Sequence, residues 1–223
     1  MKTTNANLLR LAGLSALISG LCYVLVGIIH PANVPASVSS ASWGAVHVIA
    51  CAMSFFGVLG LAGIYARQAA KAGWLGLVGY VLLTFWMVLI MGFSFVEAFV
   101  LPQIASVTPA FVDGWMKLFN GGTSDTSMGA LSVLWTISAP AYILGGLLFG
   151  IATFRARVLP RGAAVLLALG TVLAPLAVML PLSAQPKTAI PMGLGLAWLG
   201  FALMVERQTP VAVQPERAVS VTV

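Results

Sequence analysis

Apolar runs of about 18 to 25 residues recur along the whole chain, separated by short links that carry Pro, Gly or a basic residue. As a helix, a run of that length rises about 30 Å, the thickness of the hydrocarbon core of a bilayer. Lipid offers backbone N–H and C=O groups no partners, so runs of this kind must satisfy their own hydrogen bonds as helices. An all-α, polytopic membrane protein is therefore predicted. Composition agrees. Of the 223 residues, 60% are hydrophobic and 7% charged, whereas a soluble domain needs roughly a quarter charged residues to cover a water-facing surface.

Six transmembrane helices are expected, at about 8–30, 43–67, 74–100, 128–154, 162–182 and 190–205, within one domain covering 1–207. The polar, Pro-broken tail 208–223 reads as disordered and cytoplasmic. Pro31 stops the first helix, and Ser40 or Ser42 can cap the second. Gly57, Gly60 and Gly63, and separately Gly146 and Gly150, form smooth ridges for close helix approach, within the chain, in a homo-oligomer or against other membrane proteins. Pro140 and Pro175 fall mid-span and predict a kink and an interruption, with Thr136 and Ser138 near Pro140 to occupy freed backbone groups. In the third, outer loop, TPAFVDGWMKLFNGG reads as a short amphipathic helix. Thr108 is its N-cap, Pro109 its first residue, and Asn120-Gly121-Gly122 its stop. Phe111, Trp115, Leu118 and Phe119 lie opposite Asp113 and Lys117, which suits a helix on the membrane surface or capping the bundle.

Charge sets the orientation. Lys2, Arg10, Arg67, Lys71, Arg155, Arg157, Arg161, Arg207 and Arg217 fall at one set of helix ends; the other set holds Lys117 and Lys187. The positive-inside rule then puts both termini in the cytoplasm. The net charge of +6 is scattered singly and gives no nucleic-acid footprint. The apolar run 11–29 is longer than a signal-peptide core, so it reads as a retained first span. The hairpin GIYARQAAKAGWLGLVG echoes GIATFRARVLPRGAAVLLALG, a hint of internal duplication that composition partly explains.

One stretch, Leu21–Cys51, holds both histidines and both cysteines. The cysteines lie inside apolar segments and read as small buried hydrophobes, not as a disulfide. His30 ends the first span, His47 lies near the start of the second, and Glu97, alone among the carboxylates in lying within an apolar run, closes the third. All three belong to the outer face on helices expected to be neighbours. Ionisable groups in spans turn toward a bundle interior or a water-filled cavity, so a pocket is expected with Trp86, Ile90, Phe93 and Ser94 on the Glu97 face and Cys22 and Cys51 beneath.

His30, His47 and Glu97 form a candidate two-histidine, one-carboxylate metal site for zinc or iron. A proton-titrating gate is the milder form of the same idea. The plainer alternative has His30 capping a helix end and His47 bonding Glu97 or a loop carbonyl, the ordinary fate of buried polar groups. Haem would consume both histidines, one of them beside a proline, which argues against it. Phosphate-loop, dinucleotide, serine-hydrolase and zinc-protease signatures are missing. Phe55, Phe56, Phe85, Trp86, Met87, Met91 and Trp135 read as packing or lipid-facing residues. The functional expectation is a non-enzymatic integral membrane protein, a small permease-like or accessory subunit with an outward-facing polar pocket, although no charge stands mid-span to drive transport. The alternative is a metal-binding membrane enzyme or sensor.

The His30-Pro31 ending, the Ala45-Val46-His47 opening, the hairpin GLAGIYARQAAKAGWLGLVG, EAFVLPQIA and, more weakly, FGIATFRARVLPRGAA resemble a recurrent family of small, uncharacterised bacterial membrane proteins with six predicted spans. The resemblance covers most of 8–207. It implies six spans in a bacterial cytoplasmic membrane and carries no activity, cofactor or site residue with it.

Overall fold

Small residues decide how these helices meet. The computed structural model describes residues 5–206; Lys2, Arg207, Arg217 and the expected disordered tail 208–223 lie outside the described residues. The elements are α1 (Asn5–Ile29), α2 (Ala41–Phe95), a π-helical turn (Val96–Val100), α3 (Leu101–Ile104), α4 (Pro109–Phe119), α5 (Ala130–Ala156), α6 (Arg161–Leu173) and α7 (Ile190–Val205), and no strand is found among the described residues. Four helices are long and apolar enough to cross a membrane: Asn5–Ile29, Ala41–Ile104, Ala130–Ala156 and Gln185–Val205. The chain is built as a membrane protein.

The second of these is a hairpin. Gly73, at φ 58° and ψ −159°, breaks α2 into a first arm (41–72) and a second (74–95). That backbone region is essentially closed to residues with a Cβ. Across the fold the arms run side by side, with Tyr65 stacked on Tyr80 at 4.9 Å and the Cys51 thiol facing the Met91 carbonyl at 3.7 Å. The link expected at 68–73 thus shrinks to one residue, because QAAKA is helix-forming.

The rods close into a ring. The first arm of α2 sets Gly60 against Ala16 of α1, the second arm meets Gly145 of α5 at Leu83, Gly150 of α5 faces Ala164 of α6, and Gly195 of α7 abuts Leu167 of α6. Gly13 of α1 then meets Met204 of α7, joining the ends. A Cβ on Gly60 would stand 2.5 Å from the Ala16 Cα and one on Gly13 2.6 Å from the Met204 nitrogen, so backbones touch there. The ridge glycines Gly57, Gly60, Gly63, Gly146 and Gly150 all pack within the chain, and a second copy would need another face. Large residues point outward instead: Leu8, Leu11, Ile28, Phe55 and Phe201 are exposed, as a lipid-facing surface requires.

Proline shapes two rods differently. α5 runs through Pro140 unbroken, with the Thr136 and Ser138 hydroxyls bonded to the Ser132 and Trp135 carbonyls. α6 stops at Leu173 and becomes a 3-10 stretch, Ala174–Met179, so the expected span 162–182 is α-helical only over 162–173. Pro175 lacks the N–H that would continue the ladder. Lys71, Arg67, Arg157 and Glu206 gather at the Gly73 end. The opposite end is closed by α4. Its Val112, Trp115 and Met116 bury against Trp43, Phe93 and Leu101, while Asp113 and Lys117 pair at 2.8 Å on the outside. Ser40 caps α2 as expected, accepting from the Trp43 N–H. Thr108 starts α4 without a side-chain cap, its hydroxyl turning back to the Ile104 carbonyl at 3.3 Å.

Candidate functional site

Glu97 owes its place to a local irregularity. An α-helical Glu97 carbonyl would accept from the N–H of Leu101, but that N–H reaches back to the Val96 carbonyl in the π-turn. Pro102, next along, has no N–H to offer. The orphaned carbonyl is taken by the indole of Trp43, whose Nε1 donates to it at 2.8 Å. Extra-residue turns of this kind concentrate at functional sites. Here the turn aims the Glu97 side chain into the bundle, where it is 4% exposed.

Both carboxylate oxygens are engaged. Trp115 Nε1 of the capping helix donates to Oε1 at 3.0 Å, and Oε2 lies 3.2 Å from His47 Nε2. His47 is 3% exposed, and its Nδ1 stands 2.8 Å from the Trp43 carbonyl. A carbonyl only accepts, so Nδ1 carries a hydrogen. The other ring nitrogen, Nε2, is the one that meets the carboxyl, so the buried Glu97 and His47 side chains each find polar partners.

His30 lies beside this pair, its ring 5.0 Å from that of His47 and edge-on to it. Its Nδ1 donates to the Pro31 carbonyl at 2.6 Å, which leaves Nε2 as the imidazole nitrogen available to a ligand. The structure therefore brings His30, His47 and Glu97 together, as the sequence led us to expect. Among the described residues, however, no three His, Cys, Asp or Glu side chains are disposed to hold a metal ion. Glu97 is instead turned to Trp115 through one oxygen and to His47 through the other.

A cavity of about 270 Å³ opens beside the three residues, with Trp86, Ile90, Phe93 and Ser94 on its wall, the face expected to accompany Glu97. Neither cysteine lines it; Cys22 packs against the core. A second cavity of about 430 Å³ adjoins it and shares Tyr23, Trp86, Trp135, Gln185 and Ala189. Beyond the shared wall it is bordered by Ile143, Ala177 and Val178 together with Ser138, Tyr142 and Thr188. The rings of Tyr23 and Tyr142 both pack on Trp86, at 6.1 and 4.3 Å between ring centroids. Trp86 and Trp135 are thus cavity walls as well as packing residues, while Phe55 and Phe85 are exposed outward.

Trp43 and Trp115, as polar partners of Glu97, were not foreseen. Pro102 was the available signal, since in a regular helix it leaves the Ala98 carbonyl unpaired and so marks the turn around Glu97 as irregular. No family model, no curated protein and no solved structure matches the chain.

Proposed function

We propose that this chain is a six-span protein of a bacterial cytoplasmic membrane with both termini inside, acting as a small permease-like or accessory subunit. Its outward-facing cleft receives a small amphiphile, with a hydrogen-bonding head against His30 and an apolar body against Ile143 and Val178. The observation that carries this reading is the adjacency of the two cavities, which share Tyr23, Trp86 and Trp135 as wall, one bordered by His30, His47 and Glu97 and the other by Ile143, Ala177 and Val178. The second falls within the size range of small-molecule sites and the first lies just below it. Six spans require α6 to cross, and its 13 α-helical residues with the following six 3-10 residues together rise about 30 Å. Arg67, Lys71 and Arg157 at one end, with Lys117 and Lys187 among the segments of the other, support the cytoplasmic termini.

The test uses the protein's own tryptophans. In nanodiscs of unbrominated lipid, 11-bromoundecanol and 11-bromoundecanoic acid should quench Trp86 and Trp135 saturably. Ala189→Phe, which fills the shared wall, should weaken the saturable part at least tenfold. Quenching that rises only in proportion to the amount partitioned into lipid, equally in both proteins, would overturn the reading.

The metal-binding enzyme or sensor keeps one observation in its favour. Both imidazoles fix Nδ1 on backbone carbonyls, as metal-ligating histidines commonly do through their outer partners. Elemental analysis of protein purified without chelator, beside His47→Ala, decides between the two. About one zinc or iron per chain, lost in the variant, would replace the amphiphile by a metal.

A further inference from the structure

At the other end of the bundle, where α2 turns at Gly73, a pocket of about 270 Å³ is lined by Arg67, Gln68, Ala70, Lys71, Arg157 and Val158. Three of these six side chains are cationic. Arg67 is committed, since its Nε and one terminal nitrogen grip both oxygens of Glu206 at 2.8 and 2.6 Å. Lys71 and Arg157 have no acidic partner among the described residues. Arg157 also stands at φ 55°, the left-handed region that non-glycine residues rarely occupy, as the C-cap of α5.

Gln68 adds a second, independent observation. It is 1% exposed, its Nε2 lies 2.7 Å from the Thr153 hydroxyl oxygen, and its Oε1 has no partner. Thr153 is itself fully buried. With Nε2 donating to Thr153 the amide keeps a second hydrogen, and with the amide turned over the Thr153 hydroxyl donates to Oε1 and both amide hydrogens are left over. In either orientation an amide donor stands beside two uncommitted cations, a set that suits an anion with several acceptor oxygens.

We propose that this pocket binds a phosphate group, with Lys71 and Arg157 supplying charge and Gln68 an amide donor. Its place among basic residues at one end of apolar helices suits the phosphodiester of an anionic lipid, since such pockets between membrane helices hold acidic headgroups. Free inorganic phosphate offers the same chemistry.

Native mass spectrometry separates these sources. Full-length protein is released from nanodiscs of phosphatidylcholine containing one-fifth phosphatidylglycerol, with and without millimolar inorganic phosphate, beside Lys71→Ala, Arg157→Ala and the double variant. Wild type should retain one phosphatidylglycerol in preference to phosphatidylcholine. Each substitution should weaken retention about fivefold, and the double variant by more than either alone. Phosphate that displaces the lipid, or binds in its stead with the same dependence on Lys71 and Arg157, sustains the site and assigns it to the free anion. Equal retention of the two lipids with no phosphate adduct, or retention unchanged in the double variant, overturns the proposal. Both substituted side chains border the pocket, and the thermal transition of each variant checks that the fold is intact.

Discussion

The two ends of the ring handle charge in opposite ways. At the end closed by α4, a carboxylate and an imidazole are buried, and each of their polar atoms is met by a named partner from α2, the π-helical turn or α4. At the Gly73 end, the Arg67–Glu206 pair stays partly exposed, with side chains 34% and 26% accessible, and the helices are held by backbone contact at glycine. One end depends on polar completeness, the other on close approach. Substitutions should therefore fail for different reasons at the two ends.

The largest loss is expected at the first end. Glu97→Leu strands the Trp115 indole and the His47 Nε2 away from water, and should cost about 3–5 kcal/mol in reversible unfolding by denaturing detergent. Glu97→Gln keeps an acceptor for Trp115 and should cost only about 1 kcal/mol. Equal losses for the two variants would break the idea that partner count matters there. Next comes close approach: Gly13→Ala puts a methyl group 2.6 Å from the Met204 nitrogen and should cost about 1–3 kcal/mol. A neutral result would mean that the α1–α7 contact is looser than described. Smaller again, Arg67→Ala should lower stability by about 0.5 kcal/mol, an effect that fades in high salt because the pair is solvent-screened. Smallest of all, Lys117→Ala opens the i, i+4 pair with Asp113 on the outer side of α4 and should leave the thermal transition unmoved. A clear drop would show that α4 is anchored by charge instead of by Trp115.

What the sequence made legible follows from the same contrast. Helix after helix could be read from apolar run length, and Ser40, Pro109 and Gly121 marked boundaries because capping and turn chemistry are local. Convergence of His30, His47 and Glu97 was also legible, since short links make successive helices neighbours and buried ionisable groups seek one another. The π-turn at 96–100 and the contraction of the 68–73 link to Gly73 alone were not, whereas Pro175 marked the interruption that ends α6. Those two features turn on one or two backbone torsions that an apolar run does not advertise. The roles of Trp43 and Trp115 were hidden for another reason: an indole in an apolar stripe reads as bulk, and its single N–H becomes visible only once an acceptor is placed opposite.

Gly73 has a consequence for how the protein is made. A single residue reverses a helix that would otherwise extend about 80 Å, far beyond the depth of any bilayer. No loop separates the arms, so the two must fold together as one unit. Nothing stands within 4 Å of where a Cβ at Gly73 would project, and so a bulkier residue would meet no clash in the finished fold. Its penalty would fall on the turn itself, during insertion, when the chain commits to bending back or continuing straight. Damage at this position should therefore surface as protein cleared by quality control before assembly, while the molecules that do mature remain sound.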